Sequence, residues 1–265
     1  MSLPLIVNNS LFWNYKGEIL SSWYLCGDGS TDDMREAHVQ WCLKNKCNTV
    51  LICLNNEDMM SLFKKAFMGP LDDNKCTTLA NYVMRIRAAG LMVAFAFYDG
   101  PAIPSGKYHP ILDCPEELHA YFIKAVCDAF NPYVSLYLIG CETNRYWSSD
   151  KVEQFVYHTK QCAGPGHFVG THEQGVGMRN GKWVMTRRVP VNADFHCHEM
   201  SNDPHNGDSG SVADMVNEVR FLVSQANGIP IWVGEFNLNA GGSISRAQAR
   251  ALTALPGVIG VGGPR

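Results

Sequence analysis

The feature that most limits how this chain can fold is a regular alternation of two kinds of segment. Short runs of β-branched and aromatic apolar residues, such as Thr49–Leu54 and Pro230–Gly234, are separated by longer amphipathic stretches. Runs of this length are typical of strands, and their alternation with helical stretches is typical of βα units around a parallel sheet. The pattern therefore predicts an α/β fold.

Eight strands of such a sheet can be placed, after an opening β-hairpin over Leu5–Leu20 that is predicted to turn near Asn14–Gly17. The predicted strands are Ser22–Cys26, Thr49–Leu54, Leu91–Tyr98, Val134–Gly140, His167–Thr171, Ala193–His198, Pro230–Gly234 and Val258–Val261. The predicted helices are Asp32–Lys46, Thr78–Ala89, one beginning at Pro115, Ser149–Cys162, Val212–Ala226 and Ser245–Leu255. Asn180-Gly181 predicts a tight hairpin turn between the fifth and sixth strands.

The number of strands favours a closed barrel over an open sheet. A length of 265 residues agrees with the roughly 250 residues that a (β/α)8 barrel usually needs. No low-complexity linker or block of charge divides the sequence. We therefore expect residues 1–265 to form a single (β/α)8 TIM-barrel domain, with an N-terminal β-hairpin and a short or missing eighth helix.

Charge and hydropathy indicate which partners to expect. The formal net charge of −3 gives no electrostatic reason to bind nucleic acid or an anionic membrane. No apolar run approaches the roughly 20 residues of a membrane span, and the first residues lack the charged and apolar regions of a signal peptide. We expect no nucleic-acid partner, no membrane partner and a monomer.

The ten cysteines do not predict a disulfide framework. Most lie in stretches predicted to be helices or buried strands, where cysteine behaves as a small apolar residue. The sequence has no CxxC motif, so zinc ribbons and thioredoxin-like sites are unsupported. Free thiols are expected, which favours the cytoplasm or a module of a larger protein. We expect neither a cofactor nor a metal.

Polar residues that end apolar strands are the candidates for chemistry, because active groups of such barrels lie at the carboxyl ends of the strands. They are Glu142 after the fourth strand, His172 and Glu173 after the fifth, His196, His198 and Glu199 on the sixth, and Glu235 after the seventh. Two carboxylates about 5–5.5 Å apart are what a retaining glycosidase needs. One of them must stay protonated while the other is ionised, which burial and hydrogen bonding can arrange. Glu142 and Glu235 are the predicted pair.

Alternation along each strand predicts which way these side chains point. If Glu235 points into the barrel mouth, Val233 and Ile231 line the interior and Trp232 faces the outer helices. The same logic puts two more sets on one face each: Leu136 with Leu138, Gly140 and Glu142, and His196 with His198 and Asp194.

Aromatic residues in the loops are candidate sugar-stacking surfaces, namely Tyr98, Tyr108, Trp147 and Trp183. The same side chains could instead shield the loops from solvent. A simpler interpretation is also open for the polar candidates: His196 and His198 as hydrogen-bonded core histidines, and Glu173 as a solvated loop acid.

The motifs around these residues resemble glycoside hydrolase clan A, most of all the family 5 type of endoglucanases and mannanases. Ile231–Phe236 is similar to the apolar strand and Gly-Glu-Phe segment that carries the clan's nucleophile. Gly140–Asn144 lies where the clan has its acid/base glutamate, and His196–His198 takes the place of a His-x-Tyr on the sixth strand.

The resemblance implies a mechanism and a set of substrate contacts. Glu142 would protonate the glycosidic oxygen while Glu235 attacks the anomeric carbon, and Glu142 would then deprotonate water. His196 and His198 would orient Glu235 and hold it ionised. The expected contacts to the carbohydrate are His172, Glu173, Asn144, His196, His198 and the aromatic residues Tyr98, Trp147 and Trp183.

Three departures from the clan pattern predict a divergent member. Cys141 stands where the clan has an asparagine before the acid/base, and His198 replaces the tyrosine that hydrogen-bonds the nucleophile. The segment Val261–Gly263 lacks the tryptophan expected after the eighth strand. These departures leave the sugar and linkage open.

Two other functions fit the same residues. Glu142, Glu173, His198 and Glu235 could ligate Mn²⁺, Mg²⁺ or Zn²⁺ in a metal-dependent barrel of the xylose-isomerase-like or deacetylase kind. Alternatively, the chain could be a catalytically inactive barrel that binds carbohydrate through its loop aromatics.

Overall fold

The computed structural model describes residues 5–7, 10–12, 20–26, 32–44, 47–54, 73–98, 115–140, 146–200, 212–235 and 251–264. For the three strands before residue 27, and for Glu235, the description covers the backbone alone.

The described strands alternate with helices along most of the chain. The strands are β1 (Leu5–Val7), β2 (Ser10–Phe12), β3 (Leu20–Cys26), β4 (Thr49–Leu54), β5 (Met92–Ala96), β6 (Leu136–Leu138), β7 (Phe168–Glu173), β8 (Val176–Arg179), β9 (Lys182–Met185), β10 (Phe195–Glu199), β11 (Ile231–Glu235) and β12 (Val258–Pro264). The helices are α1 (Asp32–Lys44), α2 (Asp73–Ala88), α3 (Glu116–Phe130), α4 (Ser149–Ala163) and α5 (Val212–Gln225), and residues 251–253 are also helical.

The parallel strands curl around into a ring. Its order is β3, β4, β5, β6, β7, β10, β11 and β12, and β12 pairs with β3 to close it, with Val261 opposite Leu20. Each neighbouring pair is parallel. The predicted parallel barrel sheet is therefore confirmed.

The alternation of strand and helix is nevertheless incomplete. Between β7 and β10 the chain forms the antiparallel hairpin β8–β9, and the described residues there include no helix. The turn is the predicted one: Asn180 and Gly181 have φ values of 50° and 69°, as a type I′ hairpin turn requires. The predicted helix Ser245–Leu255 lies largely outside the described residues.

Element bounds agree with the prediction to within a few residues, except in the opening hairpin. Strands β1 and β2 pair with Val7 opposite Ser10, so the connection between them comes earlier than the predicted turn at Asn14–Gly17. The predicted position of that turn was wrong. Residues 14–17 lie outside the described part of the chain.

Local signals fix the helix ends. Ser148 accepts a hydrogen bond from the backbone N–H of Lys151 and caps the start of α4, and Gly164, with φ 72°, follows its last residue. Pro115 precedes α3, where its missing N–H costs nothing. No described helix has the length and apolar character to cross a membrane.

Buried side chains form one cluster inside the ring and two outside it. The inner cluster consists of strand residues only: Leu51, Cys53, Ala94, Ala96, Leu136, Leu138, Phe168, Phe195, Cys197, Trp232 and Ile259. The outer clusters combine the alternate strand residues with the apolar faces of the helices. Burial of each large apolar side chain contributes about 1.5–3 kcal/mol.

Candidate active site

The candidate residues gather where three neighbouring strands end. In the register of β7 and β10, Cys197 lies opposite His172 and His198 opposite Glu173. On the other side of β10, Glu199 pairs with Glu235, the last residue of β11. The carboxyl ends of β7, β10 and β11 therefore lie side by side. Glu142 and Asn144, which follow β6, lie outside the described residues.

The interior face of this region differs from the predicted one. Trp232 belongs to the cluster inside the barrel, while Ile231 and Val233 pack in an outer cluster with α5. The predicted orientation of these three residues was therefore wrong. Leu136 and Leu138 do share the interior face, as predicted.

A register shift in β11 explains the error. His198 pairs with Val233 but the next residue, Glu199, pairs with Glu235, so β11 has one extra residue at Gly234. A bulge of this kind breaks strict alternation. Counting back from Glu235 therefore assigns every earlier residue of the strand to the opposite face.

His172 lies on the inner face, next to Cys197 and Gly234. A Cβ atom built on Gly234 would be 2.0 Å from Cys197 Sγ and 3.7 Å from His172 Cδ2. The imidazole is completely buried. Burial, reinforced by the neighbouring His198, lowers the pKa of His172 to about 3. His172 is therefore a neutral imidazole at physiological pH.

His198 points toward the helix layer and pairs with an acid there. Its Nε2 donates to Glu218 Oε1 of α5 at 2.9 Å, and its Nδ1 accepts from the backbone N–H of Gly175 at 3.5 Å. Both side chains of the pair are fully buried. Because both ring nitrogens are engaged outside the barrel, the predicted role of His198 in orienting Glu235 is corrected.

His196 lies on the same outer face. Its Nδ1 is 3.0 Å from Thr171 Oγ1 on β7, and its Nε2 is buried without a hydrogen-bond partner among the described residues. Burial, with His198 and His172 nearby, lowers its pKa well below the usual value. The interpretation of His196 and His198 as core histidines is thus the one that fits. Glu173, opposite His198, is also buried.

Asp194 is the third member of the set predicted to share a face with these histidines. It lies just before β10 and accepts hydrogen bonds from Lys160 Nζ at 2.6 Å and from the backbone N–H of Val169 at 2.9 Å. It therefore anchors the start of β10 to α4 and β7, at the opposite end of the strand from the candidate site.

Two predicted stacking aromatics are part of the packed outer layer. The Tyr98 side chain is fully buried, and its hydroxyl lies 2.7 Å from His119 Nδ1. Trp147 is 7% exposed and packs against Tyr98 and Phe155. Neither ring offers a face to a sugar, which corrects that expectation. Trp183 is half-buried on β9, so its stacking role stays a prediction, and Tyr108 lies outside the described residues.

Glu218 is the residue that the sequence reasoning missed. It lies on α5 between Met215, Val219 and Leu222, all buried. Glu218 could have been found in the sequence as an acid among apolar residues that recur at helical spacing. Such an acid is almost never buried without a partner, and here the partner is His198.

The alternative of a metal-dependent barrel would need His198 as one of its four ligands. His198, one of its four residues, has both ring nitrogens in hydrogen bonds. Among the described residues no group of three or more His, Cys, Asp or Glu side chains is placed to hold a metal ion.

Comparison with known proteins is informative only at the level of the fold. No family model and no curated protein matches the sequence. Among solved structures, GH5_18 from Bifidobacterium longum has a TM-score of 0.65 at 12% identity, over 93% of this chain and 69% of its own. The endo-1,4-β-D-mannanase of Thermotoga petrophila has a TM-score of 0.67 at 12% identity, over 93% and 88%.

A third similar structure is the exo-β-1,4-mannosidase of an Opitutaceae bacterium, with a TM-score of 0.67 at 15% identity. It is matched over 96% of this chain and 52% of its own length, so the present chain spans about half of that protein. The predicted resemblance to family 5 is confirmed in three dimensions, and this chain has the fold of these GH5 structures.

Proposed function

We propose that this chain is a divergent (β/α)8-barrel glycoside hydrolase that cleaves β-linked oligosaccharides or polysaccharides with retention. Glu142 acts as the acid/base and Glu235 as the nucleophile. The observation that carries the proposal is the position of the two strands that lead into them. Glu235 ends β11 at the carboxyl edge of the ring. The carboxyl end of β6 lies at the same edge, and Glu142 is the fourth residue after β6 in the sequence.

The spacing of these strands suits a retaining pair. Strands β6 and β11 are separated in the ring by β7 and β10. In a barrel whose strands lie about 4.8 Å apart and tilt by about 36°, backbones three strands apart are roughly 14 Å apart across the mouth. If both glutamates point inward and each side chain reaches about 4.5 Å, about 5 Å would separate their carboxylates, which is the separation that retention requires.

The named activities of the structural neighbours suggest which substrates to try first. They include an exo-β-1,4-mannosidase and an endo-1,4-β-D-mannanase. β-Mannosides are therefore the first class to test, followed by β-glucosides.

Leaving-group dependence separates the two carboxylates. With aryl β-mannosides, Glu142→Gln should lower kcat/KM by about 10²–10⁴-fold when the leaving group is poor and much less when it is dinitrophenolate. Glu235→Gln should abolish turnover of both. Glu199→Gln is the matched control, because Glu199 lies opposite Glu235 in the register, and its loss should be clearly smaller than that of Glu235→Gln.

Product stereochemistry provides an independent check. NMR of the first product formed should show the β-anomer, because two displacements at the anomeric carbon restore its configuration. An α-anomer as first product, or equal losses on both leaving groups in Glu142→Gln, would contradict the assignment. Sugar binding without turnover in the unmodified protein would support the inactive carbohydrate-binding alternative.

A further inference from the structure

The C-terminal end of α1 brings two cysteine side chains together. The backbone N–H of Cys47 donates to the carbonyl of Cys42 at 2.9 Å, so the backbones of the two cysteines lie next to each other. Cys42 is fully buried and Cys47 is partly exposed, and both are free thiols.

A chain of hydrogen bonds leads to Cys47. Tyr82 Oη lies 3.0 Å from His38 Nδ1, and His38 Nε2 lies 3.8 Å from Cys42 Sγ. The Cys42 thiol in turn hydrogen-bonds Cys47, and this bond lowers the pKa of the Cys47 thiol against the opposing effect of burial. Every donor and acceptor in this chain is used when all the hydrogen bonds run in one direction. Tyr82 then donates to His38, His38 donates to Cys42, and Cys42 donates to a Cys47 thiolate.

A second cysteine pair elsewhere in the chain has the opposite character. Cys127 on α3 and Cys162 on α4 are close enough to interact electrostatically, and Cys162 Sγ lies 3.6 Å from His158 Nε2. Burial raises the pKa of both thiols. Both pairs thus have a histidine four residues before one cysteine, but the thiol pKa of Cys47 is lowered where those of Cys127 and Cys162 are raised.

We propose that Cys42 and Cys47 are a modification site, at which a hydroperoxide converts the two thiols into a reversible disulfide. Cys47 is the attacking residue because it is partly exposed and accepts the hydrogen bond. Cys42 is the resolving residue because its thiol is the hydrogen-bond partner of Cys47 and its backbone carbonyl accepts from the Cys47 N–H. The proposal does not depend on glycosidase activity.

The reaction balances with one equivalent of peroxide. The Cys47 thiolate attacks a peroxide oxygen, the O–O bond breaks, and Cys47 sulfenic acid and hydroxide form. Cys42 sulfur then attacks the sulfenic sulfur and displaces hydroxide, which leaves as water with the Cys42 proton. Two thiols are oxidised, one hydroperoxide is reduced, and with hydrogen peroxide two waters are released.

Peptide mapping of the whole chain tests the proposal without any variant. The reduced protein is treated with stoichiometric hydrogen peroxide, its remaining thiols are alkylated, and trypsin is added. Cleavage after Lys44 and Lys46 puts Cys42 on peptide 36–44 and Cys47 on peptide 47–64. We expect the two peptides to be joined with the loss of two hydrogens, and to separate after treatment with dithiothreitol.

Comparisons within the same chain test whether the disulfide between the two peptides is specific for Cys42 and Cys47. Peptide 47–64 also contains Cys53, which lies inside the barrel, so Cys53→Ser should keep the link and Cys47→Ser should remove it. The Cys42–Cys47 pair should oxidise at least about tenfold faster than Cys127 and Cys162, because only thiolates react. The proposal is overturned if both pairs oxidise at the same rate, if Cys47 goes to sulfinic acid unlinked, or if the link forms only in denaturant.

Discussion

At the scale of single residues, the interior of the barrel depends on glycines opposite large or bulky neighbours. A Cβ on Gly170 would lie 2.5 Å from the Phe195 ring, and one on Gly234 would lie 2.0 Å from Cys197 Sγ. Phe195 in turn packs against Trp232, with 6.0 Å between ring centroids. The inner cluster is therefore filled by a few large side chains for which neighbouring strands leave room.

The contact of Gly234 with Cys197 gives the first prediction. Gly234→Ala should lower the free energy of unfolding by about 1–3 kcal/mol, because the new methyl group overpacks a closed interior. The same change in a Cys197→Ala background should be neutral or stabilising, since the sulfur that it meets is gone and the nearest remaining atom is at 3.7 Å. Urea denaturation of the four proteins measures both effects. Equal losses in the two backgrounds would show that the sulfur contact is not the cause.

At the scale of elements, strand and helix positions could be predicted from the sequence, and strand faces only in part. Apolar runs and caps are local signals, so β4 and α4 were located closely. The face of β11 depends on its pairing with β10, where Gly234 adds a residue, and that pairing is a tertiary feature. Strand β6 has no such irregularity, and its predicted face was right.

The candidate site was predicted only as far as the strand ends. Carboxyl ends of parallel strands meet at one edge, so grouping His172, Glu173 and Glu235 followed from the order of the elements. The pairing of His198 with Glu218 joins β10 to a helix 20 residues later, and alternation within a strand contains no information about such a partner.

Strands β7 and β10 together bury histidines in the neutral state, and this gives a pH prediction. The folded-state pKa of His172 is about 3, against about 6.5 in an unfolded chain. As the pH falls below about 6.5, the unfolded chain gains a proton that the folded chain does not, so stability falls by about 1.4 kcal/mol per pH unit per histidine. His196, whose pKa is also lowered, acts with the same sign.

Unfolding free energies measured between about pH 7 and pH 5 test this slope. This pH range lies above the ordinary pKa values of carboxylates. His172→Gln should reduce the slope of the unfolding free energy against pH by the contribution of about one proton. His172→Gln combined with His196→Gln should reduce it by the contribution of about two. The comparison uses slopes, so a general loss of stability in either variant does not affect it. An unchanged slope in the double variant would mean that these imidazoles are protonated in the folded protein.

At the scale of the whole molecule, the ring closes between the most distant parts of the chain. Strand β12 pairs with β3 on one side and β11 on the other, so the sheet has no free edge there. The sequence indicated eight strands and their order, because successive βα units place each strand beside the last. It also indicated the hairpin β8–β9, an excursion that contributes no strand to the ring.

This difference between ring and excursion gives the last prediction, a pair of matched proline substitutions. Val261 is fully buried on β12 and pairs with Val233 and Leu20, whereas Val184 is half-buried on β9 and pairs with Gly177 alone. Proline removes a backbone donor and is tolerated in sheets only at edges. Val261→Pro should therefore cost on the order of 3 kcal/mol or more and lower the urea midpoint strongly, with loss of the near-ultraviolet circular dichroism of the buried aromatics. Val184→Pro should cost clearly less and leave the near-ultraviolet signal nearly unchanged, because the ladder hydrogen bond that it removes belongs to the hairpin and not to the ring. If the two variants lose the same stability, the hairpin is as essential to the barrel as the strand that closes it.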